Sequence, residues 1–385
     1  MLERAISKTE WTRVRFDQIA TQINDRVDNP AEAGVERYVG LEHLDPDSLR
    51  IRRWGEPTDV ESTKLRFQPG DIIFGKRRVY QRKVAVADFE GICSAHAMVL
   101  RAKAGAVLPE FLPFFMQSDL FMERALSISV GSLSPTINWK ALAAEEFLLP
   151  PLQEQARSVE ASLGIEGAID AYRNKIETLK LLRSSFLNDH FLPRLKSGVP
   201  LKTVVTLKAG GTPSRSSESF WGGNLPWASG KDLKVRLLSD TEERLTSEGW
   251  RAAKIAPAGA TLIVVRGMIL AHTFPVSVAA VPMAFNQDLR ALVAGKSIRP
   301  AYLTAWAEWM GPWFLSRTAE SSHGTKRLES QTIELALIPV VDHSAQDRFI
   351  RDDEKILAET RAASDRLHAV GELKKRFLNG LAGVA

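Results

Sequence analysis

The sequence predicts a mixed α/β (α+β) chain in which two similar strand-rich domains alternate with two long helices, the helices pairing antiparallel as a coiled coil within a pseudo-two-fold repeat. Three observations carry this. First, residues 150–191 reappear at the C-terminal end. Shifted by 191 positions, Ile165, Tyr172, Leu179 and Phe186 fall on Ile356, Ala363, Val370 and Phe377, and the triplet Phe186-Leu187-Asn188 falls on Phe377-Leu378-Asn379. Second, apolar residues return every seven positions in each copy, and Ile169, Ile176 and Leu367 fill the alternate seam, the 3-4 spacing that two packed helices need. Third, landmarks between the copies keep their order. At ~1.5 Å per residue, about forty residues make a rod of roughly 60 Å, longer than a compact domain requires. Such a rod is a spacer, and the chain reads 1–149, 150–192, 193–340 and 341–385 as domain, helix, domain, helix.

A chain of 385 residues has room for two cores, and 44% hydrophobic with 25% charged residues is ordinary globular composition. With 51 Lys and Arg against 46 Asp and Glu, the net charge of +5 permits a nucleic-acid partner without requiring one. One cysteine, Cys93, excludes an internal disulfide framework and fits a reducing cytoplasm; in GICSAHAMVL it reads as a core residue. No apolar run approaches the ~18 to 20 residues of a membrane span, and the N-terminus has no apolar signal region. An intracellular, cytoplasmic protein is expected.

In the first domain, residues 11–16 alternate like a strand and lead into a helical turn at 17–23, followed by a polar, turn-rich stretch at 24–34. A second alternating run, 67–74, crosses the turn signal Gln68-Pro69-Gly70-Asp71 and precedes the densest basic cluster, residues 75–83. Strands follow at 84–87 and 97–100, then a buried aromatic helix at 109–126, a loop of small residues at 127–136 and a strand at 146–149 that Pro150-Pro151 ends. The second domain retraces this plan at 201–207, 256–264 and 276–281. Phe285-Asn286-Gln287-Asp288 stands in the place of Cys93-Ser94-Ala95-His96, the aromatic helix returns at 300–315, the loop at 321–328 and the last strand at 336–339.

An object with approximate two-fold symmetry suits a ligand repeated along a line. Duplex DNA turns every ~34 to 36 Å, so two modules on a long rod would meet two major-groove segments separated by a stretch they do not read. Unlike domains would read unlike half-sites, and the helix length would set the gap.

The residues also carry a family resemblance. GGTPSRSSESFWGGNLPWASGKDL, residues 210–233, resembles the opening of a target-recognition domain, and FLLPPLQEQ at 147–155 resembles the junction between such a domain and its spacer helix. With the twice-repeated alternation, the whole chain resembles the specificity (S) subunit of type I restriction-modification systems, the HsdS family. The resemblance implies two target-recognition domains binding a bipartite asymmetric site in double-stranded DNA, no catalysis in this chain, and spacer helices that dock two methyltransferase (M) subunits. It implies S-adenosylmethionine on those partners, none bound here, and a restriction (R) subunit as a further partner. The second spacer departs from the pattern, opening with IPVVDHSAQDRF, residues 338–349, so its start is not fixed by the motif.

The sequence holds no [ND]PP[YF] tetrad and no GxGxxG fingerprint, and its seven scattered histidines and one cysteine lack metal-ligand spacing. A one-chain methylation enzyme would need those motifs. The rival reading, a coiled-coil adaptor that binds only proteins, accounts for the helices but not for the duplicated strand-rich domains. Carboxylates along the helices read as a solvated face.

For DNA contact, Lys76, Arg77, Arg78, Arg82 and Lys83 stand first, as neutralisers of phosphate or, for arginine, forks on guanine; the alternative is a solvated hairpin. Ser132, Ser134 and Thr136 lie in a loop that lets backbone approach a groove. The second domain offers Arg215, Lys231, Arg266 and His272, and in its matching loop His323, Lys326 and Arg327. Trp221 and Trp227 read as core. Ile165, Ile169, Tyr172, Ile176, Leu179 and Phe186 should pack against Ile356, Leu367, Val370 and Phe377, leaving Leu182 and Leu357 for the M subunit.

Overall fold

The two heptad stretches form helices of 40 and 38 residues, Leu152–Phe191 and His343–Gly380. The computed structural model describes residues 10–105, 107–320 and 324–381. Two units make up the chain, Met1–Arg173 with Ser364–Ala385, and Asn174–Ala363, so each unit holds part of both helices. No described helix is long and apolar enough to cross a membrane.

In the unit Asn174–Ala363, Lys175 meets Glu359 at 2.8 Å, Arg183 meets Asp353 at 2.6 Å, and Phe186 stacks on Phe349 with ring centroids 5.1 Å apart. One index falls as the other rises, so these segments run antiparallel. Of the expected packing residues Ile169 is buried, and Ile165, Tyr172, Ile176, Leu179, Phe186, Ile356, Leu367, Val370 and Phe377 are half-buried. Leu182 is exposed and Leu357 half-buried.

The buried face is more polar than its heptads suggest. Gln155, Ser162 and Glu166 on the first helix and Gln346, Asp353 and Lys374 on the second are buried. Glu166 and Asp353 therefore correct the reading of these carboxylates as a solvated face. Lys374 Nζ lies 2.5 Å from Glu166 and donates to the Asp47 carbonyl at 2.6 Å. Ion pairing is the physical reason, because a carboxylate removed from water persists only with a partner.

In the unit Met1–Arg173 with Ser364–Ala385, one sheet runs Ala20–Ile23, Ala97–Ala102, Ile72–Gly75, Val84–Val86. A second runs Arg26–Val27, Lys64–Phe67, Gly91–Ser94, Tyr38–Val39, its last pair parallel. Strands Thr12–Arg15 and Glu146–Leu149 pair antiparallel. In Asn174–Ala363 the first sheet runs Val205–Ala209, Leu289–Ala294, Thr261–Val264, Val276–Ala279, with Leu237–Leu238 added at the edge. Its second runs Ile255–Ala256, Met283–Phe285, Trp221–Ala228, Glu243–Leu245, with the middle pair parallel. The four strands of the first sheet keep one order in both units; the second sheet shares three strands in one order, and its fourth lies at opposite edges, Arg26–Val27 beside Lys64–Phe67 in one unit and Glu243–Leu245 beside Trp221–Ala228 in the other.

Several expected elements differ, among them the aromatic stretch 300–315, which is two helices, Pro300–Trp309 and Gly311–Leu315. Only Phe16–Ile19 is helical in the stretch 17–23; Ala20–Ile23 is a strand whose register is Ala20 to Ala102. One turn is too short to propagate as a helix, and sheet pairing wins. The aromatic stretch 109–126 is two helices, Phe111–Met116 and Asp119–Ser127, because the Ser118 hydroxyl accepts the Phe121 N–H and restarts the helix.

Phe16, Phe74, Phe115, Phe121 and Phe147 fill the first core, and Leu378 of the second long helix reaches into it. Tyr302, Trp306, Phe314 and Phe349 fill the second, together with Leu187 and Phe191 of the first long helix. Each such side chain contributes about 1.5–3 kcal/mol by burial.

Candidate nucleic-acid interface

The basic hairpin between strands Ile72–Gly75 and Val84–Val86 divides its charges between two tasks. Arg78 (φ 57) and Arg82 (φ 53) are both left-handed and flank the one-turn helix Val79–Gln81. A non-glycine residue there costs about 1–3 kcal/mol and persists only when its surroundings fix it. For Arg78 the fixing comes from the loop 130–136. Its N–H donates to the Pro135 carbonyl at 2.8 Å and its Nε to Ser134 Oγ at 3.2 Å. Ile137 N–H donates to the Lys76 carbonyl at 2.9 Å, and Arg77 N–H to that of His96 at 3.3 Å. The loop is closed by paired hydrogen bonds of 3.0 Å between Val130 and Thr136. Ser132 is exposed at its tip, while the Thr136 hydroxyl donates to the Ser134 carbonyl. Lys76, Arg77, Arg78, Ser132, Ser134 and Thr136 are thus brought together.

Arg82 and Lys83 are not part of that group. Arg82 meets Asp47 at 2.7 Å and Asp119 at 2.9 Å and donates to the Gln117 carbonyl at 2.6 Å. Lys83 Nζ donates to the Leu41 carbonyl at 2.6 Å. Both cations brace the hairpin from within.

The electrostatics around the tip are of one sign. Burial lowers the Lys76 pKa; Cys93 nearby opposes that, and Arg26 adds to it. Burial also lowers His96, followed by the charges of Arg77, Lys76 and Lys64, so its imidazole is neutral at pH 7. Cys93 is fully buried and burial pushes its thiol up to about 12, as suits a core residue.

The other unit repeats the stitch. Strand Arg266–Gly267 pairs with Lys326–Arg327, which pairs with Ala319–Glu320, and Leu328 N–H donates to the Val265 carbonyl at 2.8 Å. Arg266, Lys231 and His272 are exposed, His272 at the end of the one-turn helix Met268–Ala271. Lys326 lies 3.5 Å from Glu320 and Arg327 3.2 Å from Glu329. Arg290 lies near Arg327; burial, then that neighbouring charge, lowers its pKa. Arg215 is taken up: it grips Glu243, with one contact at 2.9 Å, and its guanidinium sits 3.8 Å from the Trp221 ring centre and 4.9 Å from that of Trp227. Trp227 is buried and Trp221 packs beside it. His323 lies outside the described residues.

Each domain is anchored to its helix by one buried glutamine. Gln155 Oε1 accepts the Leu108 N–H at 2.9 Å, and its Nε2 donates to the Pro150 carbonyl at 2.9 Å. Gln346, 191 positions on, accepts the Arg299 N–H at 2.8 Å and donates to the carbonyls of Ser297 and Val341. The second spacer therefore keeps the one residue of the junction that makes these bonds. Asn379 likewise accepts the Asp119 N–H at 2.9 Å, and Asn188 the Trp309 indole N–H at 2.7 Å.

Residues 58–178 match the family model described as type I restriction modification DNA specificity domain. The specificity subunit of the type I restriction enzyme EcoR124I/EcoR124II of Escherichia coli is 27% identical over 233 residues, 56% of this chain and 58% of its own. That of EcoDI, also from Escherichia coli, is 32% identical over 154 residues, 38% of this chain and 32% of its own. The chain thus spans 58% and 32% of the length of these two relatives. Its fold is that of the S subunit of a type I restriction-modification system from M. genitalium, with a TM-score of 0.58 at 14% identity, covering 100% of this chain and 98% of that one.

Proposed function

Because the chain belongs to the HsdS family of type I restriction-modification specificity subunits, we propose that it selects the DNA sequence on which a methyltransferase complex acts. Each unit is a target-recognition domain, the two arose by duplication, and together they read the halves of a bipartite, asymmetric site in double-stranded DNA. The long helices form the antiparallel coiled-coil spacer and dock two M subunits, which bring S-adenosylmethionine; an R subunit joins where the system cleaves. This chain supplies recognition and no catalysis.

One observation supports the reading most. Two loops distant in sequence are stitched by the same backbone bond in each unit, Ile137 to Lys76 and Leu328 to Val265, and each stitch holds cations at the surface beside it. A fixed loop pair with arginine at its edge is suited to base reading in a groove, whereas a mobile one would lose entropy on binding. The sequences differ at the tips, Arg77-Arg78 against Arg266-Gly267, so unlike half-sites are expected.

The test is methylome sequencing of cells with and without the gene. A bipartite methylated motif that disappears on deletion supports the reading, and an unchanged methylome refutes it.

A further inference from the structure

A small cavity opens at the foot of the stitched hairpin in Met1–Arg173. It measures about 140 Å³ and is lined by Arg26, Lys76, Gln22, Asn24 and Thr63, with Leu65 and Ala95 completing it. Two cations and three neutral hydrogen-bonding side chains converge there. Asp28, on the following strand end, accepts the Thr63 hydroxyl at 3.1 Å. The charges of Arg77, Lys76 and Lys64 all act on the neighbouring His96.

A cavity occurs at the matching place in Asn174–Ala363, lined by Lys208, Ala209, Lys254, Ile255 and Phe285. The correspondence is topological. Gln22 and Lys208 lie on the edge strands Ala20–Ile23 and Val205–Ala209. Leu65 and Ile255 lie on strands Lys64–Phe67 and Ile255–Ala256, and Ala95 and Phe285 on or beside the turns after Gly91–Ser94 and at the end of Met283–Phe285. Those turns also hold the hairpin tips, through Arg77 N–H to the His96 carbonyl at 3.3 Å and Val265 N–H to the Asp288 carbonyl at 2.8 Å. In each unit two cations line this pocket, supplied from different places in the fold. Surface charge scattered for solubility has no reason to recur in this way.

We infer that each unit holds one phosphate oxyanion in this pocket, a backbone phosphate of the duplex, with Arg26 and Lys76 as its cations in one unit and Lys208 and Lys254 in the other. The inference rests on the DNA reading above and names where the backbone is gripped. A phosphate contact carries no sequence information; it sets the register in which the nearby tip meets the bases. A free phosphate-bearing molecule presents the same chemistry, and the experiment separates the two sources.

Arg26, Lys208 and Lys254 are exposed, so Arg26→Ala, Lys208→Ala and Lys254→Ala leave the fold intact; Lys76→Met keeps the bulk of the half-buried side chain. Duplex affinity of the full chain with its methyltransferase partner is measured against salt for wild type and each variant. Each lost contact lowers the slope of log affinity on log salt by about 0.9, equally for the target and for unrelated duplex. In parallel, inorganic phosphate at constant ionic strength is titrated into the free chain and its melting followed. Wild-type slope in all four variants overturns the assignment while leaving the DNA reading intact. The same slope with phosphate-induced stabilisation that Arg26→Ala abolishes assigns the pocket to a free phosphate and also overturns it. A wild-type chain that binds no duplex overturns both readings together.

Discussion

Replacing Arg183 with methionine tests whether the helix pair depends on its buried charges. The guanidinium contacts Asp353 at 2.6 and 3.0 Å and also Glu308, and the three side chains are 18%, 4% and 17% exposed. Burial disfavours its charge, yet the hydrogen bonds to Asp353 and the charge of Glu308 outweigh this and raise its pKa. In Arg183→Met, Arg236 still serves Glu308 at 2.9 Å but reaches Asp353 only at 3.9 Å, so Asp353 is the stranded charge. Removing one member of a buried pair costs about 3–5 kcal/mol, and Arg236 places this case near 3. At roughly 2–4 °C per kcal/mol for a unit of this size, melting should fall by about 6–12 °C. Six of the nine tryptophans lie in Asn174–Ala363, so tryptophan fluorescence follows the right transition. Adding Asp353→Leu should recover much of the loss, because no lone buried charge then remains. A single variant within about 1 kcal/mol of wild type, or a double variant less stable than the single, would refute the reasoning.

Three further outcomes are expected. Arg77→Ala with Arg78→Ala should weaken duplex binding and flatten its salt dependence, whereas Arg82→Ala should lower the melting temperature and leave the slope alone; gel shifts at several salt concentrations distinguish them. Gln155→Ala and Gln346→Ala should each cost at least about 2 kcal/mol by chemical denaturation, since each strands buried backbone groups at the junction of domain and helix. His190 lies against Tyr302 and Phe349, and burial, then the charge of Arg194, lowers its pKa to about 4. Unfolded chain near pH 5 therefore binds a proton that folded chain does not, so stability present above about pH 6.5 is lost as pH falls toward 4; melting of His190→Gln should depend less on pH across that window.

The long helices and the places of many strands along the chain were legible because both rest on periodicity, and the 191-residue offset made each half a check on the other; how the strands order into sheets was not. Gln346 shows the limit of motif reading: the letters around it differ from those around Gln155, yet its hydrogen bonds are the same in kind. At the interface, the run 76–83 displayed its charge but not its division. Whether an arginine faces solvent or an inner carboxylate depends on the left-handed turns at Arg78 and Arg82, which nothing local in the sequence demands of arginine. Arg26 and Arg290 went unnoticed because the groups they join come from strands far apart in the chain.

The helix seam was hidden for a different reason. A heptad reading scores apolar residues, and so assigns Glu166, Asp353 and Lys374 to water by default. Their burial changes what the seam does. Leucine at those positions would pack in several registers with similar energy, since dispersion and burial are indifferent to a one-turn slip. In the observed register Lys374 lies 2.5 Å from Glu166 and Arg183 2.6 Å from Asp353, and a slip of the helices breaks both contacts. For a helix pair proposed to set the distance between two half-sites, a slip of one turn would shift one reader against the other by about 5.4 Å, more than the ~3.4 Å rise of a base pair. The buried pairs sacrifice some attraction between the helices and make the slipped alternatives costly, which is the property that fixed spacing requires.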